Sequence, residues 1–114
     1  MAAQIVDDVY VDEIGKGYAL TILIDGPAGF FASFNTIKMD FKYEKRIESL
    51  PILSLELGDG IVRSGDSITV SVSDEFTPSL DKPTLFADIK AQINGGDPLL
   101  IMECRFTVVN YVTP

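Results

Sequence analysis

Seventeen Asp and Glu, nine Lys and Arg, one Cys and no His are the groups with which this chain could do chemistry. The lack of His removes the commonest general base near neutral pH and the commonest transition-metal ligand. Cys104 is the sole thiol. It can form no intrachain disulfide and no thiolate cluster, and it would act as a nucleophile only beside an activating partner. The order of apolar residues around it puts it on the inward side of a strand, as a small buried apolar group. Gly58-Asp59-Gly60 lacks the further Gly and the Lys of a phosphate-cradling loop. Carboxylates at 7, 8, 12 and 13, and at 59, 66, 74 and 75, are placed as solvated faces and turns, without EF-hand spacing. Carboxylate pairs for glycoside hydrolysis are conceivable in any acidic β-protein, but a domain this small rarely holds a deep cleft. These residues point to no enzymatic activity, no cofactor and no metal.

Contact chemistry is more legible. Phe30, Phe31 and Phe34 cluster just after Gly26-Pro27-Ala28-Gly29, where a loop tip is expected. Exposed together they would form an apolar contact patch; otherwise they close one end of a core. Ile5, Val9 and Tyr10 lie in an N-terminal segment, residues 1–17, that alternates weakly and ends at Gly15-Lys16-Gly17. That segment reads as an arm for a neighbouring subunit, or as an added edge strand.

The elements that would carry these residues have a period of two. Tyr18-Ala19-Leu20-Thr21-Ile22-Leu23-Ile24 is apolar on both faces. Ile37, Met39, Phe41 and Tyr43 alternate with Lys38, Asp40 and Lys42, a half-buried strand with a wet outer side. Ile52, Leu53, Leu55 and Leu57 make another strand, and Ile68, Val70 and Val72 alternate with Thr69, Ser71 and Ser73. Thr77-Pro78 suits one short helical turn, since Pro is tolerated at the first helical position. Leu85, Ala87, Ile89, Ala91 and Ile93 alternate with Phe86, Asp88, Lys90 and Gln92. Asn94-Gly95-Gly96-Asp97 marks a turn, and Leu100, Met102, Cys104, Phe106 and Val108 share a face on the return strand.

About seven strands with at most one helical turn predict an all-β fold, an antiparallel β-sandwich of immunoglobulin-like type over residues 18–114; a small barrel is the alternative. The chain has 114 residues, enough for one domain with a core of its own. A net charge of −8 argues against nucleic-acid binding. No apolar run approaches the ~18 residues of a membrane span, and no secretory leader is visible. One Cys fits synthesis in a reducing compartment.

The order of features over roughly residues 18–114 resembles small phage tail and baseplate proteins of the baseplate-upper-protein N-terminal-domain type. The likeness is carried by Asn35-Thr36-Ile37-Lys38-Met39-Asp40-Phe41-Lys42, Leu55-Glu56-Leu57-Gly58-Asp59-Gly60-Ile61 and the run from Ser67 to Leu80. It continues in Phe86-Ala87-Asp88-Ile89-Lys90, Asn94-Gly95-Gly96-Asp97 and the run from Cys104 to Thr113. The chain departs from that pattern at Cys104, where Gly is preferred, and at Phe86-Ala87, where an aromatic directly before Asp is usual. The resemblance implies a non-enzymatic virion module made in the bacterial host cytoplasm. Such modules anchor fibres or receptor-binding proteins at the tail tip, with other virion proteins and further copies of the chain as partners. The alternatives are a capsid decoration or head-fibre protein, or a module binding a carbohydrate or host partner.

Overall fold

The computed structural model describes residues 4–6, 9–44, 50–94 and 96–110. Nine strands occur among them: Gln4–Val6 (β1), Val9–Gly15 (β2), Leu20–Asp25 (β3), Thr36–Lys42 (β4), Leu53–Leu57 (β5), Gly60–Ser64 (β6), Ser67–Val72 (β7), Thr84–Gln92 (β8) and Leu99–Val109 (β9). They form one hydrogen-bonded series in the order β1-β2-β9-β8-β4-β5-β6-β7-β3. The series doubles over between β5 and β6. Inward side chains from both arms, Ile22, Ile68 and Val70 on one side and Phe41, Ile89 and Phe106 on the other, belong to one buried cluster. The architecture is a β-sandwich with β3, β7 and β6 in one layer and β5, β4, β8, β9 and β2 in the other.

The period-two pattern is what fills that core. Ile37, Met39 and Phe41 are fully buried, while the intervening Lys38 is exposed and Asp40 half-buried. Ile68, Val70 and Val72 behave alike on β7, and Leu85, Ala87, Ile89 and Ala91 on β8. The fold-over depends on Gly60, whose φ is +93° and whose position leaves a built Cβ 2.5 Å from Leu55 Cδ2. Gly60→Ala is therefore expected to cost about 1–3 kcal/mol, from the left-handed backbone and the displaced Leu55 together. Chemical denaturation checks this. An unchanged midpoint would mean that the β5–β6 corner tolerates a side chain.

Four expectations change. The sheet is not wholly antiparallel: β2 runs parallel to β9 over seven residue pairs, and β5 meets β6 in parallel through Glu56↔Gly60 and Leu57↔Ile61. Residues 60–64 form a strand rather than a link, because Gly60 re-aims the chain into the other layer. Two single 3-10 turns occur: Thr77–Ser79, with Pro78 in its first turn as expected, and Phe31–Ser33. Lastly, Leu100 does not share the face of Met102 and Cys104. A register shift places Met102 opposite Ile89 but Leu100 opposite Lys90, so the bulge turns Leu100 to the outer side.

The N-terminal segment is not a free arm over residues 9–15. β2 is an integral strand of the large layer, and Ile14 on it is fully buried. The edge-strand alternative is the one the structure adopts. β1 pairs antiparallel with β2, with Ile5 and Tyr10 partners in the backbone register.

Candidate functional site

The outer face of the large layer is built from the polar positions of β4, β8 and β9, and register sorts their charges into rows. Asp40 lies opposite Asp88, and Asp88 opposite Glu103. One step along the strands, Lys42 lies opposite Phe86, and Phe86 opposite Arg105. On the other side of the acidic row, Lys38 lies opposite Lys90. The face is thus striped: a cationic row, an acidic row, and a second cationic row that holds a half-buried aromatic at its centre.

Like charges placed directly opposite each other on neighbouring strands are destabilising. Neighbouring rows of opposite sign offset part of that cost, as where Lys90 Nζ lies 3.9 Å from Asp88 Oδ2. Ser54 Oγ donates to Asp40 Oδ1 at 2.7 Å. Val9 and Val11 on β2 continue the acidic and cationic rows beside Glu103 and Arg105. The face encloses a concavity of about 410 Å³ that reaches from Val9 across Asp88 and Phe86 to Lys42.

Asp40, Asp88 and Glu103 sit on three neighbouring strands, whose backbones are about 4.8 Å apart. Among the described residues no group of three or more His, Cys, Asp and Glu is placed to hold a metal ion. Cys104 lies behind the acidic row, 2% exposed. Burial pushes its thiol up to about 12, and the Asp88 and Glu103 charges push the same way. The thiolate, the reactive form, is suppressed. A disulfide reagent at pH 8 is expected to modify Cys104 at least ~100-fold more slowly in the native protein than in urea. Equal rates would mean that the strand opens or that the thiol is accessible.

The same shift has a sign in stability. The folded value lies above the ordinary 9.0, so the Cys104 contribution is complete below pH 9 and is lost as pH rises from 9 toward 12. Tyr10 adds to it: partial burial first, then its bond to Asp12, raises the phenol from 10.0 to about 12.

A Ser-x-x-Lys spacing also occurs, at Ser79 and Lys82, and carries no nucleophile pair. Ser79 ends a 3-10 turn and donates its hydroxyl to the Phe76 carbonyl at 2.7 Å, while Lys82 Nζ lies 5.2 Å from the centre of the Tyr43 ring.

The expected contact residues are dispersed. Phe31 and Phe34 are 1% and 6% exposed and belong to the core. Phe30 is half-buried, with its ring edge-on to both at 5.1 and 5.2 Å. The aromatic cluster closes one end of the sandwich and is not an exposed patch, since the 3-10 turn directs Phe31 and Phe34 inward. Tyr10 turns toward the core, 6.3 Å from the Phe106 ring, with its hydroxyl donating to Asp12 at 3.0 Å. Of the five whose side chains are described, Val9 alone lines the striped face; the Ile5 side chain lies outside the described residues. The polar alternation on each strand signalled an outer face, but which charges become neighbours depends on strand order and register.

The pairing of β3 with β7 and β7 with β6, against β5-β4-β8-β9 in the other layer, is the arrangement of an immunoglobulin-like sandwich. The inter-sheet disulfide and the Trp of antibody domains are absent from this chain. In the constant-type arrangement a first strand lies beside the strand equivalent to β3; here the N-terminal strands pair on the β9 side instead.

No protein-family model matches the chain, and no curated protein matches it. Among solved structures it is similar to one described as parallel homodimer structures of the extracellular domains of the voltage-gated sodium channel beta4 subunit, which explain that protein's role in cell-cell adhesion. Identity is 11%, over 94% of this chain and 96% of that one, with a TM-score of 0.40. A likeness that distant carries no argument about what this chain does.

Proposed function

We propose that the protein is a non-enzymatic structural subunit of a tailed-phage virion, a tail or baseplate adaptor. In this reading it packs against neighbouring subunits, copies of itself among them, and anchors a fibre or receptor-binding protein. The observation that carries the reading is the striped face. A row of carboxylates flanked by two rows of cations is complementary to a partner surface with the opposite order, and such patterning fixes register and excludes wrong partners. The ordered motifs over the C-terminal half supply the virion context.

The test is the position of the protein in the particle, by antibody or gold labelling of intact virions in the electron microscope. Label at the tail tip supports the adaptor. Label over the capsid replaces it with a decoration or head-fibre role. Unlabelled particles, with the protein abundant in infected cells, would overturn the virion reading in favour of a host partner.

A further inference from the structure

The two ends of the strand series differ. β1 is three residues long, and short edges are poor templates for further pairing. β3 is six residues long, Leu20-Thr21-Ile22-Leu23-Ile24-Asp25, and no strand among the described residues covers its outer side. Its one charged residue, Asp25, stands at its end, and it carries no Lys, no Pro and no bulge, the usual devices that block edge pairing.

The hydrogen bonding of β3 identifies the free groups. β3 pairs with β7 as Leu20↔Val72, Ile22↔Val70 and Ile24↔Ile68, and the same register continues to Gly26, whose N–H donates to the Asp66 carbonyl at 2.9 Å. Hydrogen-bonded and non-hydrogen-bonded pairs alternate along an antiparallel ladder. The even-numbered residues therefore direct their N–H and C=O groups at β7. Thr21, Leu23 and Asp25 direct theirs at the open edge.

We infer that β3 pairs antiparallel with β3 of a second copy, with Leu23 opposite Leu23 on the two-fold axis. In this register Thr21 faces Asp25 and Asp25 faces Thr21, so the outward groups of all three residues find partners in six bonds. The neighbouring register, Thr21 opposite Leu23, leaves Asp25 without a counterpart on the strand. Side-chain alternation agrees, because residues paired across strands share a face. Ile22 meets Ile24 on the core side of the joined sheet, and Leu23 meets Leu23 on the outer side. Leu23 is 64% exposed, and Val62 lies beyond Thr69 in the same row, 62% exposed.

Charge favours this place. Each copy carries −8, yet the outer row of the small layer is Leu23, Thr69 and Val62. The two Asp25 side chains fall four residues apart, about 13 Å, beyond the ~8 Å screening length at physiological salt. Area sets the strength. Pairing six residues edge to edge buries roughly 500–700 Å², below the ~1,200 Å² of a stable interface. The contact is therefore weak in dilute solution and becomes effective where an assembly raises the local concentration. It tightens as salt rises, since screening removes net repulsion. A contact through the striped face would loosen instead.

The inference rests on the subunit-packing part of the proposed function, not on its virion part. Oxidative cross-linking of the full chain tests it. Paired residues in this register stand about 5.5 Å apart at Cα, within disulfide range. Leu23→Cys is expected to give a covalent dimer with glutathione disulfide, while the native chain, whose Cys104 is buried, forms no covalent dimer. Val62→Cys, equally exposed but on the far strand of the layer, is the control and forms no covalent dimer either. Leu23→Lys is expected to weaken association roughly tenfold by sedimentation, with an unchanged fold, because it places two ammonium groups face to face. No covalent dimer from Leu23→Cys, or equal cross-linking at Val62→Cys, overturns the edge contact. Either result leaves labelling at the tail tip free to support the adaptor reading.

Discussion

Phe31→Ala should lower folding stability by about 3–5 kcal/mol, the range for truncating a buried aromatic. Phe31 is 1% exposed. Its ring lies so close to Gly26 that a built Cβ there would stand 2.8 Å from Phe31 Cε2, and Phe30 covers it edge-on. Arg63 Nη1 donates to the carbonyls of Phe31 and Phe34 at 2.7 and 2.8 Å and clamps the turn from outside. A turn held in that way cannot collapse easily into the space left by the ring, which puts the cost toward the upper end. Phe30→Ala, at a half-buried ring, should cost about half as much or less. Equilibrium urea unfolding of both variants measures the difference. A loss below ~1 kcal/mol at Phe31, with assembly impaired, would restore the reading of these rings as a contact surface.

Thr77→Val should cost about 1–3 kcal/mol despite nearly equal volume, because buried polar partners are left unsatisfied. Thr77 is fully buried. Its Oγ1 accepts from the Gly17 N–H at 2.9 Å and donates to the Tyr18 carbonyl at 3.0 Å. One hydroxyl thus ties the β2–β3 link to the turn before β8, two segments about sixty residues apart in the chain. Thr77→Ser keeps the hydroxyl and should recover most of the loss. Amide exchange at Gly17 gives a local readout: it should accelerate in Thr77→Val and stay slow in Thr77→Ser. Equal stability of the Val variant would mean that water replaces the hydroxyl.

Both cases show where local pattern stops being informative. Phe30, Phe31 and Phe34 have the i, i+1, i+4 spacing of one face of a helical turn, but a pattern that short does not say whether the face points in or out. The 3-10 turn and the Arg63 clamp decide it. Thr77 beside Pro78 reads correctly as the start of a helical turn, yet nothing near it in the chain announces a partner at Gly17. The stripes follow the same logic: each strand shows its polar side, but three carboxylates become neighbours only through the β4-β8-β9 order.

Residue order alone specifies the class of fold and most of the core. Strand alternation is a local property, and burying one face of each strand is the way such a chain removes its apolar side chains from water. It also determined that Cys104 points inward, because Cys104 keeps the alternation of Met102, Phe106 and Val108. Tertiary structure decided what depends on non-local pairing: the parallel docking of β2 on β9, the flip of Leu100 at the bulge, the charge rows, and the open β3 edge. Those features depend on which strands meet and in what register. Register arises from packing over the whole sandwich and from bends such as Gly60, which no short window of residues contains.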